Sequence, residues 1–100
     1  MPAIDFTLPH NFEPDEVVSR LKSFLSKVRE RDDAKFQLKS EAWEGHDLKC
    51  SFSSFGFAMD ADMQVLPKEL KFHLNIPFAA IMFKGQIEQR LRDELGKLLT

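Results

Sequence analysis

The stretch FGFAMDADMQV, Phe55 to Val65, decides the fold. Its residues alternate strictly, with Phe57, Met59, Ala61, Met63 and Val65 on one side and Ala58, Asp60, Asp62 and Gln64 on the other. Alternation of period two over this length is the pattern of a β-strand with one buried and one wet face. Asp60 and Asp62 then share the wet face, either as a reactive carboxylate pair or as the hydrated side of a sheet. The choice depends on what the neighbouring strands bring opposite them.

Turn lengths on either side set those neighbours. A two-residue loop at Phe55-Gly56, with glycine supplying a positive φ, places Phe52 opposite Met59, Cys50 opposite Ala61 and Leu48 opposite Met63. A longer loop around Pro67 sets Val65 against Leu70, Met63 against Phe72 and Ala61 against Leu74. All these pairs are apolar, and a slip of one residue would turn every side chain to the wrong face. A three-residue loop centred on Gly45 pairs Ala42 with Leu48 and Leu38 with Phe52, leaving Ser40 as a misfit and Trp43 on the polar side at the strand end. Four strands thus form an antiparallel meander with one apolar face.

The polar face of that meander answers the question about the carboxylates. Glu41 faces Lys49, Lys49 faces Asp62, and Asp62 faces His73, a row alternating in sign. Opposed unlike charges contribute about 0.2–1 kcal/mol per pair, enough to explain the row as a hydrated, cross-strand-stabilised surface. A metal or acid–base site built from Asp60, Asp62 and His73 would need an enclosure that perturbs their pKa values, and an open sheet face provides none.

The flanks supply the second layer. Ala3 to Leu8 alternates Ile4, Phe6 and Leu8 against Asp5 and Thr7, a short strand ended by Pro9. A helix follows, capped by Asn11 or Glu13, with Pro14 near its first position and Asp15 and Glu16 in its first turn. Val17, Val18, Leu21, Phe24, Leu25 and Val28 make its apolar stripe, and the charged run RERDDAK closes it. At the other end Phe83, Ile87, Leu91, Leu95 and Leu98 recur at near-helical spacing, with Gly85 inside the pattern. The expected fold is α+β, order β-α-β-β-β-β-α, two layers, with an antiparallel sheet and both helices on its apolar face.

One hundred residues, 43% hydrophobic and 30% charged, fit one globular domain over 1–100. A formal net charge of −2 with dispersed lysines and arginines offers no basic patch for nucleic acid. No stretch approaches the roughly 20 apolar residues of a membrane span, and MPAIDFTLPH has no leader pattern, so the expected location is cytoplasmic. A single cysteine, Cys50, agrees with a reducing compartment.

No catalytic residue, metal ligand or cofactor motif emerges. His10, His46 and His73 form no ligand spacing, and Cys50 points into the core between Ser40 and Ala61, where it acts as a small hydrophobe. Contact residues are easier to name. Trp43 on the polar side is a candidate, against the alternative that a bulge or strand end folds it over the rim of the core. IPFAAIMF, Ile76 to Phe83, packs seven apolar residues around a lone proline, more than one helix face hides. The surplus either fills a Phe-rich core or leaves Phe78, Met82 and Phe83 as an apolar patch or cleft. Such a patch suits a hydrophobic surface, a protein partner or a second copy of the chain, and a cleft between the sheet and the C-terminal helix would instead make the chain a small carrier of an acyl or other apolar ligand.

Several segments in order carry a family resemblance. They are His10 followed by PDEVVSRLKSFL, Trp43-Glu44-Gly45, Phe52 to Phe57 ending in Phe-Gly-Phe, Ile76-Pro77-Phe78, and FKGQIEQRLRDELGKLL from Phe83. Together they resemble the bacterial polyhydroxyalkanoic acid system protein family, also called the polyhydroxyalkanoate granule region family. The resemblance implies a protein of about this size associated with storage-polyester metabolism, with no established molecular activity and no agreed catalytic residues to carry over; the expectation built on it is a non-enzymatic accessory protein that binds a hydrophobic surface, such as that of a storage granule, or a partner. The chain departs from the family pattern in RERDDAK and at Phe57, where a smaller aliphatic residue is expected. The order of elements is also similar to a shortened helix-grip fold, whose members often enclose apolar ligands.

Overall fold

A computed structural model describes residues 2–30, 36–54 and 56–100, with only the backbone of Phe36 described. The elements are β1 (Ala3–Pro9), α1 (Pro14–Glu30), β2 (Phe36–Glu44), β3 (Asp47–Ser54), β4 (Phe57–Val65), β5 (Glu69–Asn75), a 3-10 turn (Phe78–Phe83) and α2 (Lys84–Leu98). The fold is α+β in the expected order. All five strands form one antiparallel sheet, in the spatial order β1-β5-β4-β3-β2. The remainder of the charged run after α1, residues 31–35, lies outside the described residues.

The registers of β3, β4 and β5 follow from their turns as expected. Leu48, Cys50 and Phe52 stand opposite Met63, Ala61 and Met59. Ala61, Met63 and Val65 stand in turn opposite Leu74, Phe72 and Leu70. Gly56 has the positive φ, 82°, that this tight turn requires. β1 closes the sheet beside β5, where Ile4, Phe6 and Leu8 oppose Leu74, Phe72 and Leu70, and the rings of Phe6 and Phe72 stack at 4.7 Å.

β2 departs from the expected register. Leu38 does oppose Phe52, but the register then shifts, Ser40 opposes Ser51, and Trp43 opposes Leu48 in place of Ala42. Lys39 is the extra residue of a β-bulge, which reverses the alternation beyond it. The β2–β3 loop shortens accordingly to Gly45-His46, with Gly45 at φ 61°. Trp43 and Glu41 therefore lie on the core side, and Ala42 faces solvent opposite Lys49.

Both helices cover the apolar face. α1 leaves β1 at one edge and delivers the chain to β2 at the other, and its 17 residues span about 25 Å, enough to cross five strands. It buries Val17, Val18, Leu21, Leu25 and Val28. Its entry is pinned by His10, whose Nε2–H donates to the Leu66 carbonyl (2.8 Å) while Nδ1 accepts from the Phe12 N–H (3.2 Å). α2 buries only Ile87 and Leu95. It begins one residue before Gly85, and a Cβ built at Gly85 meets nothing within 4 Å. Gly85→Ala is therefore expected to raise stability by roughly 0.5–1 kcal/mol, seen as a higher urea midpoint.

Candidate functional site

The wet face of the sheet carries the row Asp5, His73, Asp62, Lys49, one residue from each of β1, β5, β4 and β3. Glu41, expected in this row, is on the opposite face because of the bulge, and Asp5, whose strand had no predicted neighbour, takes the other end. His73 Nδ1 meets Asp5 Oδ1 at 2.5 Å and its Nε2 meets Asn75 Oδ1 at 3.1 Å. Asp60 accepts from the Ser51 hydroxyl at 2.6 Å. The row lines a wide, open depression of about 640 Å³ that Asp60 does not border. Among the described residues no group of three or more His, Cys, Asp and Glu side chains could hold a metal ion.

The hydrogen bond to Asp5 raises the His73 pKa above its usual 6.5, with the Asn75 bond and the Asp5 and Asp62 charges adding to it and burial opposing it. A histidine with a raised folded pKa contributes stability that is complete below the unfolded value and lost as pH rises through the folded one. Stability should therefore fall slightly as pH climbs from about 6 upward. The pair is exposed and screened, so the change is no more than about 1 kcal/mol. Urea midpoints across that range in wild type and Asp5→Asn check it: the variant should lose this component of the slope.

On the core side, Trp43 is built into a cluster. Its Nε1–H donates to Glu41 Oε2 at 2.6 Å, the other Glu41 oxygen pairs with Arg29 at 3.2 Å, and Lys22 Nζ lies 5.3 Å from the indole centroid. Two donors, one from β2 and one from α1, thus meet the largely covered carboxylate. Lys22 and Arg29 come from α1, so the cluster ties that helix to the edge strand. Cys50, opposite Glu41, has its thiol pushed up to about 11, first by burial and then by the Glu41 charge. That is an inert thiol at neutral pH.

The Phe78–Phe83 turn is where apolar surface reaches solvent. A 3-10 helix has three residues per turn, so positions three apart line one face. Ala80 and Phe83 form the inward face, with Ala80 fully buried and Phe83 against Phe57 at 6.1 Å between ring centroids. Phe78 with Ile81, and Ala79 with Met82, form the two outward faces. Phe78 is 71% exposed, Ile81 51% and Met82 87%. The three large side chains present roughly 400 Å² of apolar area, in the range of patches that mark contact sites.

Of the four residues expected to make contacts, Phe78, Met82 and Phe83 come together here and Trp43 does not. Phe57 stands opposite Ser54 at one end of β3 and Trp43 opposite Leu48 near the other, roughly 20 Å apart at 3.3 Å per residue. Ile81 was missed by sequence reasoning. The signal for it was its three-residue spacing from Phe78 directly after Pro77.

Beneath the helices, Phe24, Leu25 and Val28 of α1 face Leu91 and Leu95 of α2 across a slit of about 50 Å³. A small-molecule site usually offers roughly 300 Å³ or more. No described helix is long and apolar enough to cross a membrane.

The fold and the exposed turn define a small two-layer α+β protein with an open polar sheet face and an exposed apolar patch at one end. A family model described as polyhydroxyalkanoic acid system protein matches residues 4–99, and the chain belongs to that family. No curated protein matches it.

Proposed function

We propose that this protein is a non-enzymatic accessory of the polyhydroxyalkanoate system that binds a hydrophobic surface, the storage granule in the family's setting, through Phe78, Ile81, Met82 and the adjoining Phe83. The exposed turn is the observation that supports this reading. Roughly 400 Å² is about half of what each partner buries in a stable protein–protein interface, so the patch alone is small for holding a second copy. It suffices for insertion into an apolar phase, which needs no matching shape and gains about 25 cal/mol per Å² at most. Trp43 serves packing in this reading, since its indole is already committed to Glu41 and Lys22. Transport of an acyl ligand under the helices finds little support in a slit of about 50 Å³.

Co-sedimentation of purified protein with protein-free 3-hydroxyalkanoate polyester particles tests the proposal, with phospholipid-coated and polystyrene particles as controls. Selective pelleting with bare polyester is the expected result. Absence of pelleting with any particle would end the surface-binding reading.

A further inference from the structure

The Phe78–Phe83 turn runs directly into α2: Phe78, Ile81 and Met82 of the turn face solvent, and Phe83 begins the core-facing stripe that Ile87, Leu91, Leu95 and Leu98 continue. Two of these, Ile87 and Leu95, are buried under α2, whereas α1 buries five residues from a helix of similar length. Phe83, Leu91 and Leu98 are only partly buried against the core, and the slit between the two helices borders Leu91 and Leu95. The junction with the turn has no side-chain cap, and the first turn of α2 holds no acidic residue to favour its positive end.

Besides the buried Leu95 and the packing of Leu98 and Leu99 on the core, Arg20 fastens the far end of α2. Its Nη1 donates to the Leu98 carbonyl at 2.8 Å and to that of Thr100 at 3.3 Å, while its guanidinium lies 4.0 Å from the centroid of the Phe12 ring. Arg92 adds a contact over Phe6 at 4.7 Å. The Arg92–Glu88 pair lies on this flank, and the outer face of α2 is polar, with Gln89 bonded to Asp93 along the helix. An amphipathic helix of this kind, apolar on one side and hydrated on the other, lies flat at an apolar–water boundary.

Building on the surface-binding reading above, we infer that α2 is a detachable arm: once the turn enters an apolar phase, α2 leaves the sheet and lays its Phe83, Ile87, Leu91, Leu95 and Leu98 stripe on the same phase. The occupant is the bare polyester surface of the storage granule, which receives the turn and the stripe together. Free protein keeps α2 docked because water offers the stripe nothing better. The surface shifts the balance only by its greater affinity for the undocked form.

The test places spin labels at Ser26→Cys on α1 and Gln89→Cys on α2 in a Cys50→Ala background, first shown to unfold cooperatively. A Ser26→Cys, Lys71→Cys pair reports α1 against the sheet. Pulsed electron–electron resonance is recorded with and without protein-free polyester particles. A helix leaving its seat moves by at least its own diameter, so the α1–α2 distance should grow by about 10 Å or more while the α1–sheet distance stays fixed. Arg20→Gln, which releases the latch, should bind the particles three- to tenfold more tightly, on the order of 1 kcal/mol. Pelleting with an unchanged α1–α2 distance, or an Arg20→Gln variant that binds no more tightly, overturns the arm and leaves surface binding by the turn intact. Failure of the labelled and unlabelled proteins to pellet overturns both.

Discussion

Trp43→Ala is expected to lower the unfolding free energy by about 3 kcal/mol, the low end of what removing a tryptophan from a core costs, because this indole is half-buried. The loss has three parts. Apolar contact across the strand pair with Leu48 goes, the Lys22 contact goes, and Glu41 loses the Nε1–H that meets one of its oxygens at 2.6 Å. The third part is the most distinctive, since a carboxylate that is only 14% exposed keeps only Arg29 among its partners in the described residues. Trp43→Phe keeps most of the contact and removes only the donor, so it should cost less, about 1–2 kcal/mol. Urea unfolding followed by circular dichroism reads both variants, as a lower midpoint at unchanged slope. The chain has one tryptophan, so fluorescence cannot follow the Trp43 variants. A loss below about 0.5 kcal/mol, the level of an ordinary surface substitution, would show that the cluster does not tie α1 to β2.

The second large effect has the opposite signature. Phe78→Ser combined with Met82→Ser should leave the urea midpoint within about 0.5 kcal/mol of wild type, because both side chains stand mostly in solvent. Binding to bare polyester particles should weaken at least a hundredfold. The two side chains hold roughly 300 Å² of the exposed apolar area, worth several kcal/mol on transfer even after incomplete insertion is allowed for. If the folded double variant pelleted as wild type does, the contact would have to lie elsewhere on the molecule. Together the two sets of variants distinguish a side chain that holds the fold from those proposed to meet a hydrophobic surface.

Much of the sheet was legible in the sequence because turns and alternation constrain each other. Gly56 and Pro67 left one register in which Leu48, Cys50, Phe52, Leu70, Phe72 and Leu74 all met apolar partners from β4. β2 defeated the same method because a bulge reverses the count without changing composition. Its trace was visible in two anomalies, Ser40 on the apolar side and Trp43 on the polar side, and both vanish once Lys39 is treated as the extra residue. The partnership of His73 with Asp5 was not legible, since a meander has two free edges and alternation in β1 does not say which one it joins. Apolar excess in IPFAAIMF was plain, but counting hydrophobic residues does not distinguish a three-residue period from a 3.6-residue one. That difference decides that Ala80 points inward and Ile81 outward.

The bulge at Lys39 has a further consequence at the rim of the sheet. A sheet that is not closed into a barrel ends in two strands with unused hydrogen-bonding groups, and neighbouring molecules can zip onto them. In this chain β1 finishes at Pro9, which has no N–H to offer, and β2 is interrupted in its middle by the extra residue. Molecules crowded side by side with their apolar turns facing the same way would find the β2 edge broken by the bulge and the β1 ladder stopped at Pro9. They should form a coat of separate units, each free to exchange, instead of a fibrous film.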